Sequence, residues 1–465
     1  MNDSYDLIVI GAGPGGYPAA MEAADWGKTV AVIDKSVPGG TCLNCGCIPM
    51  KTLLHTSQMY RESHEAEKIG LFETAPGCSI PALSEHRQQI IGTLSDGVLM
   101  QFKKRRIEYI QGTARITGEH EVTVTGTAER RLTAAHILIA SGSEPARIPV
   151  PGLDLPGIDT STTLLERTSL YKSLVIIGGG VIGMEFASFY TDFGIPVTVL
   201  EAAPSVLPAV DRETARSLKM ILQKRGADIH ASAKVTKVEK NGEGLFVCTW
   251  SESEQEKRVE SEGILVATGR TPAGTGVCTP EIAERLKIGR GRIPVDEQFR
   301  TAIPGVYAAG DVTGGIQLAH AATAEGLNAV AHMYGKEPVK DLSLIPSCVY
   351  TDPEIASVGI SGEEADEQNL ETVTGKYLMS ANGKSVLSRQ ERGFIKITAD
   401  RKTGIILGAQ LMCARATDMI GMIELAVSRR ITAAELSSLV MPHPTFCEGI
   451  AEAAADCVQR MNQQR

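Results

Sequence analysis

No stretch of the 465-residue chain runs to eighteen consecutive apolar residues, so a transmembrane helix is not expected. No basic tract exceeds Lys103–Arg106, and the formal charge is −9. An electrostatic grip on nucleic acid is therefore unfavourable, and the short basic run reads as a solvated helix face. Met1–Asp6 has no basic stretch and the apolar Leu7–Ile10 ends in glycines, so neither a secretory signal nor an Arg-rich transit peptide is expected. Ten cysteines in this length are too sparse for a secreted disulfide scaffold; in a reducing compartment, spacing must decide whether any pair is catalytic or metal-binding. These absences point to a soluble, cytoplasmic, globular protein with neither nucleic acid nor membrane as partner.

What is present is glycine, 47 of 465 residues against a usual ~7%, in a chain long enough for about three domains. An internal repeat organises it. LIVIGAGPGGYPAAMEAADWGKTVAVIDK (Leu7–Lys35) aligns without a gap to LVIIGGGVIGMEFASFYTDFGIPVTVLEA (Leu174–Ala202). Each half reads as an apolar strand, a G-x-G-x-x-G turn (Gly11, Gly13, Gly16; Gly178, Gly180, Gly183), an Ala-containing helix and a second strand ending in an acid. The acids, Asp34 and Glu201, each lie 23 residues past the first glycine. In a dinucleotide-binding unit the first glycine permits the tight turn, the second lets the backbone approach a pyrophosphate, and the third lets helix pack on strand. The helix N-terminus faces the phosphates, and the acid accepts hydrogen bonds from a ribose. A second repeat closes each unit: HILIASGSEP (His136–Pro145) matches GILVATGRTP (Gly263–Pro272), each an apolar strand that a proline is expected to stop. The Pro/Gly-rich PARIPVPGLDLPG that follows the first reads as a linker, and Ser251–Glu262 as a solvated hairpin.

Between the repeats lies GGTCLNCGCIPMK (Gly39–Lys51), with Cys42, Cys45 and Cys47. As metal ligands they lack a second cluster to supply a fourth donor. As packed hydrophobes they would be unusually dense. As a redox pair, Cys42 and Cys47 would need a broken helix, because Cα atoms five residues apart in an ideal helix are about 8.6 Å apart and a disulfide needs less than about 7 Å. Gly46 and Pro49 favour such a distorted helix start, where a thiolate would have a lowered pKa. Near the C-terminus, His443 and Glu448 offer an imidazole with a carboxylate to orient it, a pattern suited to a general base.

The sequence GGTCxNxGCIPxK after an N-terminal dinucleotide fold resembles the flavin-dependent pyridine nucleotide-disulphide oxidoreductases, and its C-I-P form is most similar to the dihydrolipoamide dehydrogenases among them. TAIPGVYAAGDVTGG (Thr301–Gly315), LAHAATAEG (Leu318–Gly326), TDPEIASVG (Thr351–Gly359) and HPTFCE (His443–Glu448) follow in the family's order. The resemblance implies that Gly11, Gly13, Gly16 and Asp34 hold the ADP half of FAD, with Asp311 at its ribityl chain and Ala319 close by. It implies that Gly178, Gly180, Gly183, Glu201 and Gly269 serve NAD. Cys47 would lie against the flavin and Cys42 would exchange with substrate, while Lys51 would pair with Glu185 beside the flavin ring; on residues alone both charges read as surface positions. His443 and Glu448 would complete the site from the partner subunit of a homodimer. Cys45, Met50 and Met441-Pro442 depart from the family pattern, and simple burial is the expectation for Cys45.

The expected fold is α/β, with two Rossmann-like dinucleotide-binding domains and a C-terminal α+β dimerisation domain. The expected division is 1–148 for FAD, 149–272 for NAD, 273–342 as a central segment completing the FAD domain, and 343–465 as the interface domain. The implied reaction oxidises protein-bound dihydrolipoamide with NAD, and no metal is called for. Lipoamide is expected to arrive on a separate lipoyl-bearing protein of a 2-oxo acid dehydrogenase or glycine cleavage complex. Another disulfide reductase of the same fold, or a flavin-bearing redox sensor without significant turnover, are the alternatives.

Overall fold

In the computed structural model, which describes residues 3–126 and 129–463, the two aligned segments form the same substructure. Ser4–Ile10 lies parallel to Val30–Asp34, with Leu7 opposite Val30. Leu174–Ile177 lies parallel to Val197–Leu200, with Leu174 opposite Val197. Leu7–Ile10 and Leu174–Ile177 are buried throughout, as central parallel strands covered on both faces require. Around the first pair a seven-stranded sheet assembles, whose parallel part runs Glu108–Gln111, Val30–Asp34, Ser4–Ile10, Arg130–Ile139 and Val306–Ala308. The last of these strands comes from beyond the second unit and returns to the first sheet. Around the second pair the strands run Ala227–His230, Val197–Leu200, Leu174–Ile177, Gly263–Val266 and Ile158–Thr160, all parallel. A three-stranded antiparallel sheet, Lys234–Ser261, packs beside it.

The closing repeats behave differently from expectation. Neither proline simply stops a strand: Ser143–Pro145 and Arg270–Pro272 pair with each other, antiparallel, as a two-stranded ribbon where the chain passes between the units. Both are edge strands, where a missing N–H costs no ladder bond. The Pro/Gly-rich stretch after the first ribbon strand is more than a linker, because Ile148, Val150, Leu153 and Leu155 pack onto the cluster around Phe246 and Trp250. The basic run is partly engaged: Lys103 and Lys104 are exposed at a helix end, but Arg105 reaches Asp25 at 2.9 Å.

Residues from Ser347 onward form a five-stranded antiparallel sheet in the order Ser347–Val349, Glu354–Gly359, Ile406–Cys413, Phe394–Asp400 and Thr372–Leu378, covered by the helices Ala416–Ser428 and Glu448–Gln463. Two other helices position the chemistry. Cys47–Lys68 and Val181–Asp192 pack side by side and are pinned twice: Lys51 meets Glu185 near their N-terminal ends, and Ser57 and Arg61 meet Asp192 about two turns later. Asp352 and Arg225 join this second contact, with Arg225 Nη2 2.6 Å from Asp352 Oδ2, so four parts of the chain are tied at one largely buried ionic node. Among the described residues no helix is long and apolar enough to cross a membrane.

Candidate active site

A cavity of about 1450 Å³ runs from the first glycine loop to the second, and the cysteine segment forms part of its wall. The glycines divide the work as the spacing predicts. Gly11 and Gly178 turn with φ of +104° and +109°, and a Cβ on Gly16 or Gly183 would stand 2.0 Å from the carbonyl oxygen of Gly11 or Gly178. Helix can approach strand only because no side chain is there. The middle glycine is the open one: a Cβ on Gly180 meets nothing within 4 Å, and Gly13 and Gly180 both face the cavity. Asp34 accepts the N–H of Ala12 at 2.7 Å, and Glu201 accepts the N–H groups of Gly179 and Ala203 at 2.6 and 2.7 Å. Each acid thus braces its own glycine loop while lining the cavity, and retains lone pairs for a further donor. Thr268 Oγ1 is buried on the cavity wall without a hydrogen-bond partner, a polar atom suited to a bound polar ligand. Continuous space between two phosphate-type loops fits two dinucleotides meeting at their reactive ends.

The cysteine segment is irregular, as a close Cys42–Cys47 approach demands. A short helix, Gly40–Asn44, ends at Cys45 (φ −148°), Gly46 is neither helical nor extended (φ −146°, ψ −106°), and a new helix starts at Cys47. A Cβ on Gly46 would come 2.8 Å from Thr41 O, which makes glycine necessary at the break. Both sulfurs are free thiols, joined by a hydrogen bond. The Cys42 thiol donating to Cys47 pulls the Cys47 pKa down to about 7; burial opposes this and the Lys51 charge assists it. Cys42 is pushed strongly upward by the same hydrogen bond, by burial and by the Cys47 charge. The pair therefore holds one proton and one negative charge near neutrality, with the charge on Cys47 at a helix N-terminus. In the reduced apoprotein, thiolate absorbance near 240 nm is expected to rise by one equivalent per chain through pH ~7 and to fall as pH drops below it. Cys42→Ala, which unlike serine leaves no hydroxyl donor, should shift that step upward by about a pH unit or more, and an unmoved step would contradict the shared proton.

Lys51 Nζ stands 3.0 and 2.9 Å from the two carboxylate oxygens of Glu185, which is only 2% exposed and so is no surface residue. The backbone N–H of Tyr350 gives Glu185 Oε1 a further hydrogen bond at 3.0 Å, and Lys51 lies 4.7 Å from the Tyr350 ring centre. Lys51 is thereby held beside the thiols with its charge directed into the cavity wall. Asp311 accepts the Ser143 hydroxyl, and Ser143 in turn accepts Arg270 Nε at 2.7 Å, which couples both ribbon strands to Asp311. Gly269 and Ala319 line the same cavity, the latter opening the helix Ala319–Met333.

Cys45 is half-buried at the cavity edge, hydrogen-bonded to Thr162 and Thr41, and burial raises its pKa. It takes no part in the Cys42–Cys47 hydrogen bond. Cys45→Val should leave turnover within about twofold and the dithiol stoichiometry at two; peptide mapping of the oxidised protein that found Cys45 in the dominant bridge would reverse the assignment. Met50 is buried.

His443 Nδ1 is 2.8 Å from Glu448 Oε1, and Glu448 Oε2 accepts the Thr445 N–H at 2.8 Å, so the orienting arrangement is present. The imidazole, however, is 75% exposed and does not line the cavity of its own chain. Cys348, Tyr350 and Arg270 were not singled out from the sequence yet line this cavity, the Cys348 thiol being pushed by burial to about 11. The repeat held a signal for Arg270, which follows the same glycine as the strand-closing T-G; Cys348 and Tyr350 reach the cavity only through the packing of the C-terminal sheet.

Residues 5–326 match the pyridine nucleotide-disulphide oxidoreductase family, and residues 345–454 match its dimerisation domain. The chain is 37% identical over 463 residues to a dihydrolipoyl dehydrogenase of Chlorobaculum tepidum, with 98% of each chain covered. It is 34% identical to a leghemoglobin reductase of Glycine max, over 97% of this chain and 87% of that one. Among solved structures, the HOCl-induced flavoprotein disulfide reductase RclA of Escherichia coli superposes with a TM-score of 0.86 at 29% identity, covering 98% of this chain and 99% of its own.

Proposed function

Because the chain belongs to the pyridine nucleotide-disulphide oxidoreductases, enzymes that bind FAD and NAD(P), we propose that it oxidises protein-bound dihydrolipoamide with NAD. The observation carrying this reading is the Cys42–Cys47 pair, one thiolate and one thiol, beside the Lys51–Glu185 ion pair in a cavity that joins two glycine loops. Gly11, Gly13, Gly16 and Asp34 would hold the ADP half of FAD, Asp311 and Ala319 would lie along its remainder, and Gly178, Gly180, Gly183, Glu201 and Gly269 would receive NAD. Held there, FAD would supply a two-electron acceptor for the dithiol and a hydride donor for NAD, so that the disulfide could re-form.

The chain's own residues perform the exchange. His443 of one subunit, oriented by Glu448, removes a proton from the substrate dithiol at the Cys42 of the other subunit. The substrate thiolate attacks Cys42 Sγ, the Cys42–Cys47 bond breaks, and Cys47 departs as the thiolate its environment favours. The second substrate sulfur then displaces Cys42 from the mixed disulfide, releasing cyclic disulfide product and leaving the dithiol with two electrons. Lys51 offers fixed positive charge where negative charge accumulates, and Glu185 keeps it in place.

NAD is the expected nucleotide. Glu201 puts a carboxylate at the ribose end of the second loop, where a 2′-phosphate would be repelled, although exposed Lys234 also lines the cavity. kcat/KM should favour NAD by at least ~10-fold, equivalent to about 1.4 kcal/mol, and Glu201→Ala should narrow that ratio by leaving Lys234 unopposed. Equal efficiency with NADP in the unmodified enzyme would refute it. For the disulfide substrate, steady-state turnover with dihydrolipoamide, glutathione disulfide and mercuric ion should be measured side by side. Efficient use of dihydrolipoamide alone is the expected result; preference for another acceptor would favour the second reading, a different reductase of this fold, as the similarity to RclA and leghemoglobin reductase allows.

A further inference from the structure

Behind the Lys51–Glu185 pair lies a second, separate cavity of about 20 Å³, bounded by Leu53, two residues beyond Lys51, and by Phe186, the neighbour of Glu185 and a wall of both cavities. Its lining includes two arginines, Arg87 and Arg167, and no acidic residue. Arg87, on the helix Ile80–Lys104, is 2% exposed, and its one hydrogen bond goes to the neutral Ser84 hydroxyl at 2.9 Å. Among the described residues no acid lies within ion-pair distance of it. The acid whose charge it senses most, Glu166, is solvent-exposed, and burial lowers the Arg87 pKa against that weak support. Arg167 reaches Asp159 at a loose 3.8 Å and lies 4.0 Å from the Tyr171 ring, but Asp159 already accepts Tyr171 and Thr163 hydroxyls at 2.7 Å each. The Arg167 side chain is 35% exposed, but its Nε is buried with no partner.

A buried guanidinium without a counter-charge is strongly unfavourable, and its pKa is too high for proton loss to relieve it. Water could satisfy the N–H groups but could not neutralise the charge. The space, about 20 Å³, suits a single water or halide better than the larger sulfate or an organic carboxylate. We propose that this cavity is a small-anion site, occupied by chloride, that joins the helix Ile80–Lys104 to the segment carrying Arg167 and to the helix bearing Glu185. The site is independent of the substrate assigned above.

The test uses the intact flavoprotein. Thermal unfolding is followed while chloride replaces gluconate at constant ionic strength, with bromide and sulfate in parallel. A saturable rise in Tm of about 2–5 °C is expected with chloride or bromide, beyond any response to sulfate. Arg87→Met, which keeps the volume and removes the charge, should abolish the halide-specific rise while raising the halide-free Tm. Arg167→Met provides a second variant should the first fail to fold, and 35Cl NMR line broadening that disappears in either variant reads occupancy directly. A flat halide response in the unmodified protein, or an identical response in the Met variants, overturns the proposal.

Discussion

Cys42→Ser and Cys47→Ser are each expected to lower dithiol-disulfide turnover by ~10³-fold or more, because residues that act as one unit fail together. Flavin absorbance should remain, since neither sulfur supports the glycine loops that line the first part of the cavity. The two variants should differ in a way that separates their roles. With Cys47 gone, the isolated Cys42 loses the acceptor that raises it most and the negative charge that adds to burial, so its pKa should fall towards the value set by burial. With Cys42 replaced by alanine, which unlike serine cannot donate, Cys47 loses the hydrogen bond that contributes most to lowering it, and should titrate higher. NADH should still reduce the bound flavin in both, because the second glycine loop is untouched. Substantial dithiol turnover in either variant would remove the pair from the mechanism.

The second large effect concerns the general base. His443→Ala should reduce turnover by ~10²–10⁴-fold, the usual contribution of a positioned acid–base group. Since the imidazole is exposed and absent from its own chain's cavity, the defect should be curable in trans. Mixing inactive Cys42→Ser and His443→Ala homodimers under conditions that exchange subunits gives heterodimers in which one of two sites is intact. Random reassortment makes half the dimers heterodimers, so about a quarter of the unmodified activity should return. Failure to recover activity when native mass spectrometry shows exchange would mean that the site is not shared.

Much of this arrangement is legible in the sequence. The glycine loops, their bracing acids and the broken helix between Cys42 and Cys47 follow from short-range rules: which residues tolerate φ > 0, how close a helix can sit to a strand, and what spacing a disulfide allows. The same local reasoning misread Glu185, which looks like a surface acid in GMEFASFY but is held in the interior by Lys51 and the Tyr350 N–H, from segments 134 and 165 residues away. It also misread the prolines that close each repeat, since a ribbon between two chain crossings exists only once both crossings lie together. The half-buried position of Cys45 depends likewise on Thr162 from the far side of the linker.

By itself, then, the sequence determined the two dinucleotide units, the redox segment and the His-Glu pair, because each is a contiguous motif whose backbone geometry depends on its own residues. Only the tertiary structure decided where charge resides. It put the proton on Cys42 and the negative charge on Cys47, buried Glu185 against Lys51, turned His443 outward and left Arg87 without an acid. Burial and long-range proximity set these outcomes, and both are properties of how distant segments pack rather than of any segment alone.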